Sequence, residues 1–194
     1  MRTMTKTRVW LALGWTLLGA ARALHGQSNQ ATSAGMTGNF LRIVGTKTPS
    51  FPGESTEKIA PGQHNVLAYE HEMAVTMDAA GQPTGKVQHR TFRVVKLLNA
   101  ATPLISQALV TNENLSDVTM TMTTTDANGT QSLLMTYKLT NARVVQVRSW
   151  TPNNRDASSR GYVPAEEVAF TYTKLTITHH PSGNVTIIDR MPGN

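Results

Sequence analysis

Residues 85–110 read GKVQHRTFRVVKLLNAATPLISQALV, and the spacing of their apolar side chains changes halfway along. From Lys86 to Leu97 the apolar residues recur mostly at every second position, which is typical of a β-strand. Beyond Asn99 the aliphatic residues recur at helical spacing instead. The stretch therefore predicts a strand followed by one short helix.

The predicted helix begins at a threonine–proline pair. We expect the Thr102 hydroxyl to cap it, and Pro103 suits the first helical position because its missing N–H would have no partner there. A helix of about nine residues does not persist alone in water, so it must lie on a sheet. We expect it to cover an open edge or mouth of that sheet. Its apolar stripe consists of Leu104, Ile105, Ala108 and Leu109.

The other patterned segments favour strands. FLRIV at 40–44 predicts a short strand, and the 19 residues that follow it at 45–63 have no periodicity and predict a long loop. Clean alternation from Val66 to Met77 predicts one half-buried strand. Its apolar face would carry Leu67, Tyr69, His71, Met73, Val75 and Met77.

Turn signals divide the second half of the chain. Asn128-Gly129 lies between two alternating runs and predicts a hairpin with a type I′ turn. The segment EEVAFTYTKLTIT at 166–178 predicts one strand of about a dozen residues, with a β-bulge near Thr173 and Lys174 where the parity changes. Seven or eight strands against one helix predict a mainly β fold, a mostly antiparallel barrel or sandwich, over residues 39–190.

The charge is concentrated at the N-terminus. The formal net charge is +6, and four basic residues without any acid lie in the first 26 positions, leaving +2 for the remainder. That balance disfavours a nucleic-acid-binding protein. The chain has no cysteine, which excludes disulfides and thiolate metal sites.

Residues 1–26 have the order of parts typical of a signal peptide. A basic segment, MRTMTKTR, precedes a 13-residue apolar run, and Ala21-Arg22-Ala23 offers an A-x-A cleavage site. The apolar run is too short for a stable membrane span. The alternative is that translation starts at Met36, which would make 1–26 a mis-assigned extension. Residues 27–38 are small and polar and predict a flexible linker.

A search for reactive groups assigns no catalytic, cofactor-binding or metal-binding residue. Asp126 to Gly129 resembles a calcium loop, but Met135 stands where its bidentate glutamate should be. Glu166 and Glu167 are neighbours in a strand, so their side chains leave on opposite faces. No nucleophile motif, P-loop or dinucleotide fingerprint is present in the sequence.

The sequence around the histidines predicts structural roles for them. His179 and His180 precede a proline at a strand end, which is typical of a surface turn. His71 lies on an apolar face without a partner at metal-ligand spacing, so we expect a buried or interface histidine with one hydrogen bond. A hydrolase whose site is assembled from distant residues stays an alternative.

The ordered set of these segments resembles the haemolysin-coregulated protein (Hcp) family of bacterial type VI secretion systems. The resemblance rests on MTGNFLRIVG, GKVQHRTFRVVKLLNAATPLISQAL, TTDANGTQ and PAEEVAFTYTKLTITH. It implies a β-barrel of two sheets with one short flanking helix. It also implies hexameric rings that stack into a hollow tube, with no catalytic residue and no cofactor.

The resemblance further implies partners and location. The implied partners are sister copies, the spike protein, the sheath and effector proteins. The implied location is outside the cell, after a cytoplasmic or periplasmic stage. The 46–63 loop matches in position a loop that acts between neighbouring rings. The threonine face of VTMTMTTT at 118–125 would be wet in one chain and covered in the ring. The competing hypothesis is a secreted barrel that binds a small apolar ligand with Tyr69, Met73 and Val75 inside.

Overall fold

The computed structural model describes residues 35–153, 155–159 and 161–190. The predicted signal peptide at 1–26 and most of the linker at 27–38 lie outside these residues, so both stay predictions. The described elements are β1 (Gly35–Gly45), β2 (His64–Glu70), β3 (Met73–Met77), β4 (Pro83–His89), β5 (Phe92–Leu97), α1 (Thr102–Val110), β6 (Leu115–Thr125), β7 (Gln131–Thr140), β8 (Arg143–Trp150), a 3₁₀ turn (Ala157–Ser159), β9 (Ala165–Thr171), β10 (Lys174–His179) and β11 (Asn184–Asp189).

Nine strands form one antiparallel series in the order β11-β10-β7-β6-β1-β2-β5-β9-β8. The series has two halves, because β1 and β2 are joined only by the pairs Phe40 with Asn65 and Leu41 with His64. Side chains from both halves, such as Met120 and Phe170, meet in one core. The predicted mainly β class, with two sheets and one helix, is confirmed. In the hydrogen-bonded order β8 and β11 are the two ends, so the barrel is not closed by strand pairing.

Alternation decides which face of β6 is buried. Val118, Met120 and Met122 are buried as predicted, since side chains at every second position share one face. The threonine face, predicted to be wet in a single chain, is half-buried there, and both edges of β6 are already paired, one with β1 and the other with β7. Thr123 on its opposite face is also fully buried.

Two segments predicted as single strands are each divided in two. The strand predicted for 66–77 breaks after Glu70, and β3 resumes at Met73 paired only with β4. The parity change near Thr173 is a break between β9 and β10 and not a bulge, because β9 pairs with β5 and β8 while β10 pairs with β7 and β11. The chain thus passes from one half of the sheet to the other at Tyr172.

The β6–β7 hairpin is present, but its turn is not type I′. A type I′ turn needs positive φ at both central residues, whereas only Gly129 of this turn has it, at +80°. Asp126 Oδ1 accepts the N–H groups of Asn128 and Thr130 at 2.9 and 2.8 Å. The β3–β4 hairpin repeats this arrangement with Asp78 and Gly81.

The helix lies where the sequence predicts, but its cap differs. Ala101 is the N-cap residue and makes no side-chain capping bond. The Thr102 hydroxyl instead accepts the Asn99 N–H and donates to Glu166. Ile105 is fully buried with Ala108, and α1 packs against the edge strand β8, which confirms the predicted position at an open edge. No helix within the described residues is long and apolar enough to cross a membrane.

The 46–63 segment is a structured loop. Gly53 and Gly62 pair through their backbones, with the Gly53 N–H donating to Gly62 O at 2.9 Å and the Gly62 N–H donating to Ser55 O at 2.8 Å. Two of its own side chains, Phe51 and Ala60, are buried. The loop therefore holds a defined shape on the domain surface.

Candidate functional site

The two adjacent glutamates of β9 lie on opposite faces, as predicted. Glu166 is fully buried and its Oε1 lies 2.7 Å from Lys96 Nζ. Glu167 forms an ion pair with Arg93 at 2.9 Å on the other face. The two carboxylates therefore cannot act together as a general acid and base.

The Lys96–Glu166 pair is the centre of a buried polar cluster that was not predicted from the sequence. Lys96 Nζ also donates to Leu97 O at 2.8 Å and to Asn99 Oδ1 at 3.0 Å, and Thr102 Oγ1 donates to Glu166 Oε1 at 2.9 Å. The alternation of β5 indicates this cluster. Lys96 follows the buried residues Phe92 and Val94 at two-residue spacing, so the pattern places its charged side chain on the same inner face.

This cluster also holds the 46–63 loop near its middle, at Glu54. The Asn99 amide nitrogen donates to the Glu54 carboxylate and lies 3.0 Å from His64 Nδ1. Burial acts to raise the pKa of Glu54, but hydrogen bonds from Asn99 and from the Asn65 N–H outweigh it and lower that pKa. Burial, followed by the charge of Lys96, lowers the pKa of His64 to about 4, so its imidazole is neutral at pH 7.

A second buried carboxylate holds the start of the loop. Glu113 Oε1 accepts the N–H groups of Lys47 and Thr48 at 2.8 and 2.7 Å, and its Oε2 accepts the Thr48 hydroxyl at 3.0 Å. Burial opposes ionisation, yet these hydrogen bonds lower the pKa of Glu113. Ionised carboxylates therefore hold the loop at its start, through Glu113, and near its middle, through Glu54.

His71 is half-buried and makes one hydrogen bond, as predicted. Its Nε2 lies 2.8 Å from the hydroxyl of Tyr172, and its ring packs against Phe92 and Tyr137. The Tyr172 hydroxyl also lies 3.3 Å from His89 Nδ1. We call His71, His89 and Tyr172 the histidine cluster.

The remaining histidine pair belongs to a surface turn, which confirms the prediction. His179 Nδ1 lies 2.8 Å from Ser182 Oγ, whereas His180 Nε2 lies 2.8 Å from Thr136 Oγ1. Their two rings therefore serve different partners. Across the described ranges, no three His, Asp or Glu side chains come together as a metal site.

The β3–β4 hairpin, which we call the arm, exposes apolar side chains. Met73, Met77 and Val87 are 42%, 54% and 55% exposed, and Leu67 and Tyr69 in the preceding strand are also exposed. We call the three hairpin residues Met73, Met77 and Val87 the arm patch. The exposure of Leu67, Tyr69, Met73 and Met77 corrects the prediction that this alternating face is buried. Because the apolar ligand hypothesis placed Tyr69 and Met73 inside a barrel, it loses its binding surface.

A second group of exposed apolar residues surrounds the connection from β8 to β9. It consists of Leu98, Trp150, Tyr162 and Val163, which we call the end patch. The Leu98 N–H donates to Pro164 O at 3.4 Å, and this bond holds Leu98 beside the connection. Trp150 pairs with Ala165, and Ala165 pairs with Leu97, so the patch spans the ends of three adjacent strands.

The two patches lie at opposite ends of the same half-sheet. The arm leaves β2 after Glu70 and enters β5 at Phe92, whereas the end patch lies beside Leu97 at the other end of β5. Six strand residues separate these ends by about 17 Å. Each chain therefore carries two different apolar surfaces, one at each end of this half-sheet.

The comparisons with known proteins identify the family. A family model described as "Type VI secretion system effector, Hcp" matches residues 40–179. The chain belongs to the Hcp family. The major exported protein of Pseudomonas aeruginosa is 31% identical over 154 residues, covering 74% of this chain and 90% of that protein.

Solved structures of Hcp proteins share the fold. One crystal structure of an Hcp protein superposes with a TM-score of 0.75 at 24% identity, covering 80% of this chain and 99% of that one. The secreted protein Hcp3 from Pseudomonas aeruginosa superposes with a TM-score of 0.60 at 25% identity, covering 78% and 97%. This Hcp family member is accordingly a secreted, structural protein of type VI secretion, and that function is favoured over a small-ligand carrier.

Proposed function

We propose that this chain is the ring-forming subunit of a type VI secretion tube, and that six copies close a ring through contacts between the arm patch of one copy and the end patch of the next. The observation that carries the proposal is the pair of unlike apolar patches at opposite ends of one half-sheet. Exposed apolar surfaces of this kind mark interaction sites. The number six comes from the Hcp resemblance.

Unlike patches favour a head-to-tail contact. A contact between two different surfaces leaves one free surface at each end of a growing chain of subunits, and it closes into a ring when the rotation per subunit permits. A contact between two identical patches would stop at a dimer. The structured 46–63 loop, held by Glu54 and Glu113, supports a further role in stacking one ring on another.

The proposal includes export but no catalysis. It assigns no catalytic, cofactor-binding or metal-binding residue, and its partners are sister copies, the spike protein, the sheath and effector proteins carried in the lumen. The leader at 1–26 directs the chain through the general export pathway or precedes the true start at Met36. N-terminal sequencing of the native product separates the two, with Leu24 expected for the first and Met36 or Thr37 for the second.

Two charged variants test the ring contact. Met77→Asp in the arm patch and Trp150→Asp in the end patch should each give a folded monomer, because each buries an unpaired carboxylate in the contact. The matched control is Val110→Asp, since Val110 is 82% exposed on α1 outside both patches. Light scattering coupled to size exclusion should report six subunit masses for the control and for the unchanged chain.

Mixing the two monomeric variants distinguishes the type of contact. Each variant keeps one intact patch, so the mixture should form a heterodimer that cannot extend. A contact between two arm patches would instead leave Trp150→Asp as a dimer on its own. A stable monomer of the unchanged chain that retains a bound lipid would contradict the proposal and favour a ligand carrier.

A further inference from the structure

The arm is attached to the domain at a small base. Its strands β3 and β4 pair only with each other and not with the nine-stranded series. His71 lies between β2 and β3, and His89 is the last residue of β4, so one histidine stands at each side of the base. Both contact the hydroxyl of Tyr172, which is 2% exposed and lies at the break between β9 and β10.

The three groups satisfy each other when both imidazoles are neutral. A phenol donates one hydrogen and accepts at its lone pairs, and a neutral imidazole has one donor and one acceptor nitrogen. The Tyr172 hydroxyl can therefore donate to one histidine and accept the N–H of the other, at 2.8 and 3.3 Å. If both imidazoles are protonated, both nitrogens are donors and the phenol hydrogen loses its acceptor.

The charges around the cluster oppose protonation. Arg190 lies beside Tyr172, since its N–H donates to Thr173 O at 2.7 Å and its guanidinium donates to Thr171 Oγ1 at 2.8 Å. Burial, followed by Arg190, lowers the pKa of His89, and burial, followed by His89, lowers the pKa of His71. Other ionisable groups near the cluster are Tyr137 packed on His71, Glu72 and Arg90 paired with each other at 3.9 Å, and Lys86 and Asp189, which line the same groove as His89.

The phenols stay neutral over the whole physiological range. Burial and then a hydrogen bond with Tyr69 raise the pKa of Tyr137 to about 12. Burial also raises the pKa of Tyr172. Changes in the charge of the cluster below pH 7 therefore arise from the two histidines.

We propose that His71 and His89 form an acid-sensitive clasp on Tyr172 that holds the arm in the position where a second copy docks, so that assembly is favoured at neutral pH and weakened in mild acid. This inference deepens the proposed function and rests on it, because the arm carries half of the proposed ring contact. It adds a regulatory input to that contact.

The direction follows from proton linkage. A histidine whose pKa is lowered in the clasped state binds its proton more readily when the arm is released, where the ordinary value of about 6.5 applies. The clasp is therefore fully favoured above that value and loses free energy as the pH falls below it. Each histidine shifts the clasped-to-released ratio by up to about tenfold per pH unit in that window.

Hydrogen exchange of the full chain measures arm release directly. After division by the intrinsic exchange rates, amides of residues 73–89 should exchange roughly tenfold to a hundredfold faster at about pH 5.5 than at about pH 7.5. This increase should exceed any change at the amides of β6, which follow the stability of the whole fold. In the double variant His71→Gln/His89→Gln, which has no imidazole at the base of the arm, the faster exchange of the arm at low pH should be lost.

Sedimentation velocity of the same proteins measures assembly. The unchanged chain and the control His180→Gln, whose imidazole bonds to Thr136 away from the arm, should both lose rings as the pH falls below about 6.5. The double variant should keep its rings at both pH values. Loss of rings by the double variant with the same midpoint would overturn the inference.

A titration of the unchanged chain keeps the inference testable if the double variant fails to fold. The imidazole proton resonances of His71 and His89 should titrate below about 6.5. Titration of both cluster histidines at or above that value would refute the clasp. If the unchanged chain is a monomer at neutral pH, the ring proposal fails, whereas exchange of residues 73–89 still decides the clasp.

Discussion

Replacing Lys96 with methionine tests how the buried polar cluster contributes to stability. Lys96 and Glu166 have no exposed side-chain surface, and Nζ to Oε1 is 2.7 Å. Without the ammonium, Glu166 keeps one hydrogen bond, from Thr102, and its Oε2 has no partner in the structure. Breaking a buried pair by removing one member costs about 3–5 kcal/mol, because an uncompensated charge stays buried. Lys96→Met should lower the free energy of unfolding by that amount.

The double variant Lys96→Met/Glu166→Leu should recover much of the loss. It removes the stranded carboxylate, leaving the Thr102 hydroxyl, Leu97 O and Asn99 Oδ1 with one hydrogen bond fewer each. We expect it to be at least about 2 kcal/mol more stable than Lys96→Met. The matched control is Arg93→Met, which breaks the solvent-facing Arg93–Glu167 pair of the same two strands and should cost less than about 1 kcal/mol.

Urea unfolding followed by circular dichroism gives these free energies. All variants should carry Met77→Asp, so that unfolding is not coupled to association of copies. A loss below about 1 kcal/mol for Lys96→Met would refute the reasoning. A double variant no more stable than Lys96→Met would refute it equally, because the stranded charge would then not be the cause.

Three further outcomes follow from the structure. Ile105→Asp should prevent soluble folding because Ile105 is fully buried, whereas the control Gln107→Asp, at an exposed position, should be tolerated. Soluble yield and circular dichroism measure the outcome, and a well-folded Ile105→Asp variant would contradict the position given to α1. His64 is held neutral with a pKa of about 4, so the fold should lose stability as the pH falls from about 6.5 to about 4, and urea unfolding of His64→Gln should show a smaller loss in that window. Gly53→Ala would place its Cβ 2.1 Å from the Gln63 carbonyl carbon, so limited proteolysis should cut the 46–63 loop faster than in Gly161→Ala, where no atom lies within 4 Å; equal rates would contradict the loop geometry.

Local patterns were sufficient where one face of one element meets the core. The helix at Thr102–Val110 and the buried face of β6 were predicted because apolar spacing at 3.6 or 2 residues reports burial directly. The neighbouring glutamates were also placed correctly, since adjacent strand residues always leave on opposite faces. Alternation also places Lys96 on the buried face of Phe92 and Val94, but the sequence prediction did not extend it to this charged residue, so the buried ion pair with Glu166 was not predicted.

Contacts between distant parts of the chain could not be predicted in this way. Alternation through Val66–Met77 reads as one strand, and only the pairing partners show that it divides at His71 into a sheet strand and an arm. Threonine is a residue type that commonly caps helices, but the Thr102 hydroxyl donates to Glu166, which is 64 residues away. The histidine cluster joins His71 to Tyr172 over 101 residues, a separation that no local pattern reports.

The amino-acid sequence by itself determined the class of this protein: a mainly β domain with one helix and a set of segments typical of Hcp. Those properties depend on periodicity, composition and short-range turn chemistry, which are written within a few residues of each other. The tertiary structure decided which apolar faces stay uncovered, which charges are buried together and which groups meet at the base of the arm. These depend on strand order and register, because hydrogen bonding and burial act between residues that only the completed fold makes neighbours.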